Sequence, residues 1–222
     1  MGGAAEDRYE LPPARLERWL DRWAAGHEPV AWTSVGERDV AFVAAGAERV
    51  VCEPPFPPLP AESFGDRAGY DPGPLLAHVR RERTVGVLLV RLGGHAAGVF
   101  EGDRLVDSKV GSRLVHGRHR KGGSSSGRFA RRREGQARAA LQAAAEVAER
   151  VLAPWADRLD ALVLGGDRRA LEDVLADARL ARLRPLVSGR VHDVPDPRLH
   201  VLRAMPERFT ATIVRPSGTI SP

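Results

Sequence analysis

The sequence predicts an α/β protein, a mixed-sheet sandwich preceded by a small α+β segment. Three observations lead to this class. Strand-like apolar runs alternate with helical stretches through the second half of the chain. One of these stretches is a long amphipathic helix that begins near residue 128 and ends before Pro154. A stretch dense in proline and glycine, residues 52–74, separates this half from the first.

The composition is that of a globular protein without disulfide bonds. Of the 222 residues, 43% are hydrophobic and 28% are charged. Cys52 is the single cysteine, so we expect a reducing, cytoplasmic location. The first ten residues lack the order of a signal peptide, and no apolar run is long enough to cross a bilayer. We therefore expect no membrane association.

The first part of the chain is predicted to contain one helix and three short strands. Residues 12–25 place Leu16, Trp19, Leu20 and Trp23 at helical spacing, which indicates packing against a core. Runs typical of strands separated by glycine-containing turns follow at residues 30–33, 40–43 and 49–52.

The proline- and glycine-rich stretch 52–74 cannot form a regular helix or a central strand. It indicates a linker with a boundary near Tyr70, which gives two domains, residues 1–70 and 71–222. A long structured loop inside one domain is the alternative.

The second part is predicted to begin with a proline-started helix at 74–82 and an antiparallel meander of three strands. The strands are expected at 84–91, 95–101 and 104–110. A helix over 128–153 then places its apolar residues on one stripe, and these are Phe129, Ala137, Leu141, Ala144, Ala148 and Leu152.

Further elements complete the predicted sandwich. A buried strand at 162–164 turns through Gly165-Gly166 into a helix capped by Asp167. The glycine pair could hold an anion, but a tight turn between strand and helix is favoured. Two more strands are expected at 187–191 and 210–214.

One basic run dominates the charge distribution. Residues 111–133 contain eight arginine and lysine residues and no acidic residue, although the whole chain carries a net charge of only +5. Residues 116–127 read as a basic Gly/Ser loop that leads into the long helix. Such concentrated charge suits a polyanion, with RNA or DNA as the first candidate. The expected RNA-binding residues are Arg118, Arg120, Lys121, Arg128, Arg131, Arg132 and Arg133.

Two simpler interpretations of the loop remain open. A Gly/Ser run is by default a flexible, solvated linker, but a passive linker does not need basic residues on both sides. Residues 123–127 also match the G-x-S-x-G pattern of serine hydrolases, with Ser125 as nucleophile. That nucleophile requires a buried strand directly before it, whereas residues 117–121 are basic. The candidate catalytic partners would be His192, His200, Asp193 and Asp196.

No cofactor or metal is expected. His116 and His119 have a ligand-like spacing, but no cysteine or carboxylate lies nearby to complete a zinc site. Lys121 precedes the Gly122-Gly123 pair, whereas the lysine of a nucleotide-binding P-loop follows its glycines.

Residues 121–133, KGGSSSGRFARRR, resemble the loop and helix start in the middle domain of eukaryotic and archaeal class-1 release factors. The nearest branch in appearance is the actinobacterial group of release-factor-like peptidyl-tRNA hydrolases in ribosome quality control. Gly122, Gly123, Arg128 and Arg131 match the pattern. The resemblance extends loosely over residues 84–218.

This resemblance implies a ribosome-associated hydrolase of the peptidyl-tRNA ester on stalled ribosomes, with peptidyl-tRNA and rRNA as partners. The catalytic tip would consist of Gly122, Gly123, Ser124, Ser125 and Ser126. The glutamine of the family falls on Ser124, or on Ser125 or Ser126 in another register, so the activity is expected to be weakened. The alternative is a non-catalytic ribosome- or tRNA-binding module. We expect a monomer, because the core uses the apolar helix faces.

Overall fold

The computed structural model describes residues 8–46, 48–91, 93–112 and 126–217, and the side chains of residues 126–133 lie outside this description. The chain divides into two compact units. The first comprises Met1–Arg81 and Glu207–Pro222, and the second comprises Glu82–Pro206. Among the residues described, no helix is long and apolar enough to cross a membrane.

Runs of consecutive strands are separated by helices along the chain. The helices are α1 (Pro13–Gly26), α2 (Gly73–Arg80), α3 (Ser126–Leu152), α4 (Arg168–Leu175), α5 (Leu199–Arg203) and α6 (Met205–Phe209). The strands are β1 (Tyr9–Leu11), β2 (Val30–Val35), β3 (Val40–Ala44), β4 (Arg49–Glu53), β5 (Gly65–Ala68), β6 (Thr84–Arg91), β7 (Gly94–Glu101), β8 (Arg104–Ser112), β9 (Ala161–Gly166) and β10 (Thr212–Ser217). Short 3₁₀ helices occupy Ala61–Ser63, Ala153–Trp155 and Ala178–Leu186.

The first unit is a six-stranded antiparallel sheet in the order β1-β10-β4-β3-β2-β5. Alternate residues of its strands share a core with helices α1 and α2, as the period of two in a half-buried strand requires. Leu16 and Leu20 of α1 and Phe42 of β3 are completely buried there. The predicted helix and three strands of this part are confirmed.

The stretch predicted as a linker is part of this first sheet. Residues 65–68 form β5, which pairs with β2 at the edge of the sheet, and Leu59 is buried in the core. The structured-loop alternative therefore describes this stretch better than a linker does. Only an edge strand tolerates such a composition, because an edge strand needs ladder hydrogen bonds on one side only.

The division between the units differs from the expected boundary near Tyr70. It falls after Arg81, and the C-terminal residues return to the first unit. The reason is the pairing of β10, which lies between β1 and β4. The strand expected at residues 210–214 thus exists, but it completes the first sheet.

The second unit contains a four-stranded mixed sheet in the order β8-β7-β6-β9. Strands β6, β7 and β8 form the predicted antiparallel meander, and β9 runs parallel to β6. Helix α3 supplies Ala144, Ala148 and Leu152 to a core shared with this sheet. The α/β class with a mixed sheet is confirmed.

Two details of the second unit depart from expectation. Residues 187–191 do not form a strand, and only isolated bridges join Leu162 to Val187 and Gly165 to His192. Gly189 has a φ of +76°, which interrupts an extended strand. Ala137 of the predicted apolar stripe is exposed, so the buried stripe begins later along α3.

Candidate functional site

The central part of the basic run at 111–133, residues 113–125 (the basic segment), connects the end of β8 to the start of α3, because β8 ends at Ser112 and α3 begins at Ser126. Most of the predicted site residues lie between these two points, outside the described residues, and these are Gly122, Gly123, Ser124, Ser125, Arg118, Arg120 and Lys121. His116 and His119 also lie outside the description. Ser126, Arg128, Arg131, Arg132 and Arg133 occupy the first turns of α3, with their side chains outside the description.

The ends of several strands meet at the point where the basic segment leaves the sheet. Ser112 pairs with Gly94 at the start of β7, and Gly94 also pairs with Arg91 at the end of β6. On the other side of β6, Val90 lies beside Gly166 at the end of β9. The described part of the site is therefore one edge of the mixed sheet.

His95 lies on β7, beside the end of β8. It pairs with Gly111, and only 4% of its surface is exposed. A Cβ built on Gly111 would overlap Nε2 of His95 and would lie 2.9 Å from its Cε1 atom. The imidazole thus occupies the space that a side chain at position 111 would need. This pair could not be predicted from the sequence, because neither residue belongs to a motif.

The segment 192–198 supports the same edge. Arg91 Nη1 donates to Asp193 Oδ1 at 3.0 Å and to the carbonyl oxygen of Val194 at 2.5 Å. A Cβ on Gly94 would overlap Oδ1 of Asp196. Arg91 thus ties the segment to the end of β6, and Asp196 lies against the start of β7.

The backbone N–H groups of the Gly165-Gly166 turn donate to carbonyl oxygens within the protein. The N–H of Gly166 donates to the carbonyl oxygen of His192 at 2.9 Å, and that of Asp167 donates to Val90 at 2.8 Å. The carboxylate of Asp167 accepts from the N–H of Ala170 at 3.0 Å, as predicted for a helix cap. Because these groups are already bonded, the interpretation as a tight turn is supported and that as an anion site is not.

The candidate serine-hydrolase partners have other roles in the structure. Asp193 bonds to Arg91, and Asp196 Oδ2 accepts from Arg198 Nε at 3.5 Å. His192 is buried at its bridge to Gly165, whereas His200 is exposed on α5. Among the described residues, no group of three or more His, Cys, Asp or Glu could hold a metal ion.

Several known proteins are similar to this chain. A family model described as Actinobacteria/chloroflexi VLRF1 release factor matches residues 83–215. Peptide chain release factor subunit 1 of Archaeoglobus fulgidus is 27% identical over 123 residues, which cover 55% of this chain and 30% of that protein. The chain therefore spans under a third of the length of this relative.

Two solved structures were also matched. The archaeal translation termination factor aRF1 gives a TM-score of 0.44 at 16% identity, covering 89% of this chain and 70% of that one. Pelota of Archaeoglobus fulgidus gives 0.31 at 13% identity, covering 95% of this chain and 64% of that one.

Proposed function

Because the chain belongs to the Actinobacteria/chloroflexi VLRF1 release factor family, we propose that it acts on stalled ribosomes and hydrolyses the ester bond of peptidyl-tRNA. One observation carries the proposal. The basic Gly/Ser segment joins β8 to the long helix α3 inside the matched region, residues 83–215. The segment thus starts at the end of a strand and leads into a helix of 27 residues.

The chemistry assigned to the tip is positioning and charge stabilisation. Gly122 and Gly123 lack a Cβ, so their backbone can approach RNA closely and adopt positive φ. Backbone N–H groups of the tip would orient water and stabilise the oxygen that leaves the ester. Serine at 124, 125 and 126 has no side-chain amide, so we expect slower ester hydrolysis than with a loop that contains glutamine.

The positive charges on both sides of the tip would bind rRNA and tRNA. They comprise residues before the glycine pair and residues on the first turns of α3, namely Arg118, Arg120, Lys121, Arg128, Arg131, Arg132 and Arg133. Contacts of this kind place a protein on the phosphate backbone without reading the base sequence. From ribosome binding we infer a cytoplasmic location, and we expect the protein to act as a monomer.

Peptide release from stalled ribosome–nascent-chain complexes tests the proposal. The chain as it stands is compared with three variants, Ser124→Gln, Ser125→Gln and Ser126→Gln. We expect slow release by the unmodified protein and faster release by the one variant that restores glutamine in the correct register. Gly123→Ala in that variant should reduce release, because a Cβ would hinder close approach to RNA.

A second candidate function is a non-catalytic ribosome-binding module, which the serine at all three positions favours. Binding without release by any of the four proteins would establish this alternative and contradict the hydrolase. The serine-hydrolase interpretation has its own test with a fluorophosphonate probe. Labelling that is lost in Ser125→Ala would support a serine nucleophile and overturn the proposed mechanism.

A further inference from the structure

We propose that His95 is a positioning residue for the end of β8: its imidazole, seated against Gly111, fixes where the last pairs of the strand lie, at the point where the basic segment begins. The inference rests on the proposed function for its consequence but on described residues for its geometry. His95 lies on β7, and its partner Gly111 is the second-to-last residue of β8. Only Ser112 separates this pair from the segment at 113–125.

The ring and the glycine form a matched pair. In an antiparallel ladder, directly opposite side chains point to the same face of the sheet. The ring of His95 lies over Gly111 on that face. A Cβ on Gly111 would overlap its Nε2 atom and lie 3.2 Å from its Cδ2 atom. Glycine at 111 therefore lets the ring lie against the backbone of β8.

The opposite face of the same strand end is also filled. The neighbouring pair joins Gly94 to Ser112, and a Cβ on Gly94 would overlap Oδ1 of Asp196 and lie 3.2 Å from Cδ of Pro197. Successive residues of a strand face opposite sides. The last two pairs of the β7–β8 ladder are thus packed from both faces, by His95 on one and by Asp196 on the other.

The position of His95 along the sheet explains why this packing bears on function. His95 faces the same side as Ala97 and Val99, which belong to the core shared with α3. The imidazole therefore lies on the face of the sheet that α3 covers, at the end where the basic segment begins. Chemistry that depends on positioning loses rate when its support shifts by about 1 Å.

A distance measurement tests the geometry without any activity. Nitroxide labels at Ser112→Cys and Arg150→Cys, both exposed, report the position of the end of β8 relative to α3 by double electron–electron resonance. Cys52 is completely buried and should stay unlabelled. We expect His95→Ala to broaden the distance distribution. His95→Gln, which keeps a polar nitrogen at about the reach of Nε2, should restore part of the narrow distribution.

Two further variants keep the test decisive. Gly111→Ala changes the other member of the pair: its methyl group should displace the ring of His95 and broaden the distribution. It replaces His95→Ala if that variant fails to fold. His78→Ala removes an equally buried histidine of the first unit, 5% exposed, and should leave the distribution unchanged. An unchanged distribution in both His95→Ala and Gly111→Ala would overturn the inference.

Peptide release tests the consequence, in whichever of the wild type and its three serine-to-glutamine variants is active. His95→Ala should lower the maximal release rate at least tenfold and change the half-saturating protein concentration less than twofold, because the basic residues remain. A broadened distribution with an unchanged maximal rate would refute the positioning role. If none of the four starting proteins releases peptide, the proposed function fails, while the distance distribution alone still supports or overturns the placement of β8 by His95.

Discussion

Gly166 passes so close to Val90 that a Cβ on Gly166 would overlap the carbonyl oxygen of Val90 and lie 2.9 Å from its carbonyl carbon. The same glycine has a φ of +110°. This contact lets the chain turn from β9 into α4 beside the end of β6, at the edge of the sheet where the basic segment also starts. The turn therefore depends on the absence of a side chain.

Replacing this glycine tests that dependence. Gly166→Ala should lower the free energy of unfolding of the second unit by at least about 2 kcal/mol, because backbone cannot yield as a flexible side chain can. Hydrogen exchange in urea reads the two units separately. Gly65→Ala is the matched control, since Gly65 has a φ of +112° with no atom within 4 Å of its Cβ position. Equal losses of unfolding free energy at the two positions would show that the positive φ, and not the contact with Val90, sets the cost.

Asp177 should contribute stability that disappears in acid. Its carboxylate accepts from the guanidinium of Arg179 at 2.7 Å and from the backbone N–H of Arg179 at 3.0 Å, and these bonds lower the pKa of Asp177 to about 2. A lowered pKa in the folded state stabilises the fold above pH 4, and this stabilisation is lost as pH falls toward 2. Asp177→Ala should therefore lower the urea midpoint at pH 7 and converge with the wild type near pH 2.

The matched control for Asp177 is Asp173→Ala, an exposed aspartate on the neighbouring helix α4. This variant removes an exposed carboxylate of the same region and tests whether the loss is specific to Asp177. A midpoint for Asp177→Ala that stays below the wild type by the same amount at pH 2 and pH 7 would mean that its ionisation does not contribute.

Cys52 should make the first unit sensitive to alkali. The thiol is completely buried on β4, and burial together with the nearby charge of Asp39 raises its pKa well above the ordinary range. The unfolded chain releases the thiol proton near pH 9 and the folded chain does not, so stability is retained below that pH and falls above it.

Cys52→Ala should remove this part of the pH dependence. The variant should be less stable at pH 7, because it leaves a small cavity, by about 1 kcal/mol. Between pH 9 and pH 10.5, however, its urea midpoint should fall less steeply than that of the wild type. Thiol-reactive reagents should label the wild type only as fast as the first unit opens. Immediate labelling of the native protein would contradict the burial of Cys52.

The arginines at the start of α3 should determine the salt dependence of ribosome binding. Replacing Arg131, Arg132 and Arg133 with glutamine should reduce the slope of log affinity against log salt by about 2 to 3, because each phosphate contact contributes about 0.7 to 0.9. The measurement is a binding titration from low to high salt. The matched control replaces Arg15, Arg18 and Arg22, which are exposed on α1, and should leave the slope nearly unchanged. A wild-type affinity indifferent to salt would contradict the nucleic-acid interface.

Local pattern predicted much of the second unit correctly. The apolar run at 84–91 and the glycines after it specified a meander of consecutive strands, since neighbours in sequence need only tight turns to pair. Asp167 was predicted as a cap because its side chain bonds to a backbone group three residues away. Interactions that span so few residues are visible in the sequence.

Long-range pairing was not predictable in the same way. The strand near residue 212 was expected, but its place between β1 and β4 depends on partners some 160 to 200 residues away. The same holds for β5, whose composition resembles a linker until β2 supplies its hydrogen bonds. Periodicity shows which face of a strand is apolar and carries no information about which strand lies beside it.

The sequence by itself determined the α/β class, the antiparallel meander and the basic segment with its Gly/Ser tip, because composition, periodicity and charge are properties of the chain alone. Only the tertiary structure decided that Gly111 accommodates His95 and that Gly166 accommodates Val90. These contacts arise when distant backbones come within van der Waals distance, and a glycine in a sequence does not reveal which atom will fill the space its missing side chain leaves.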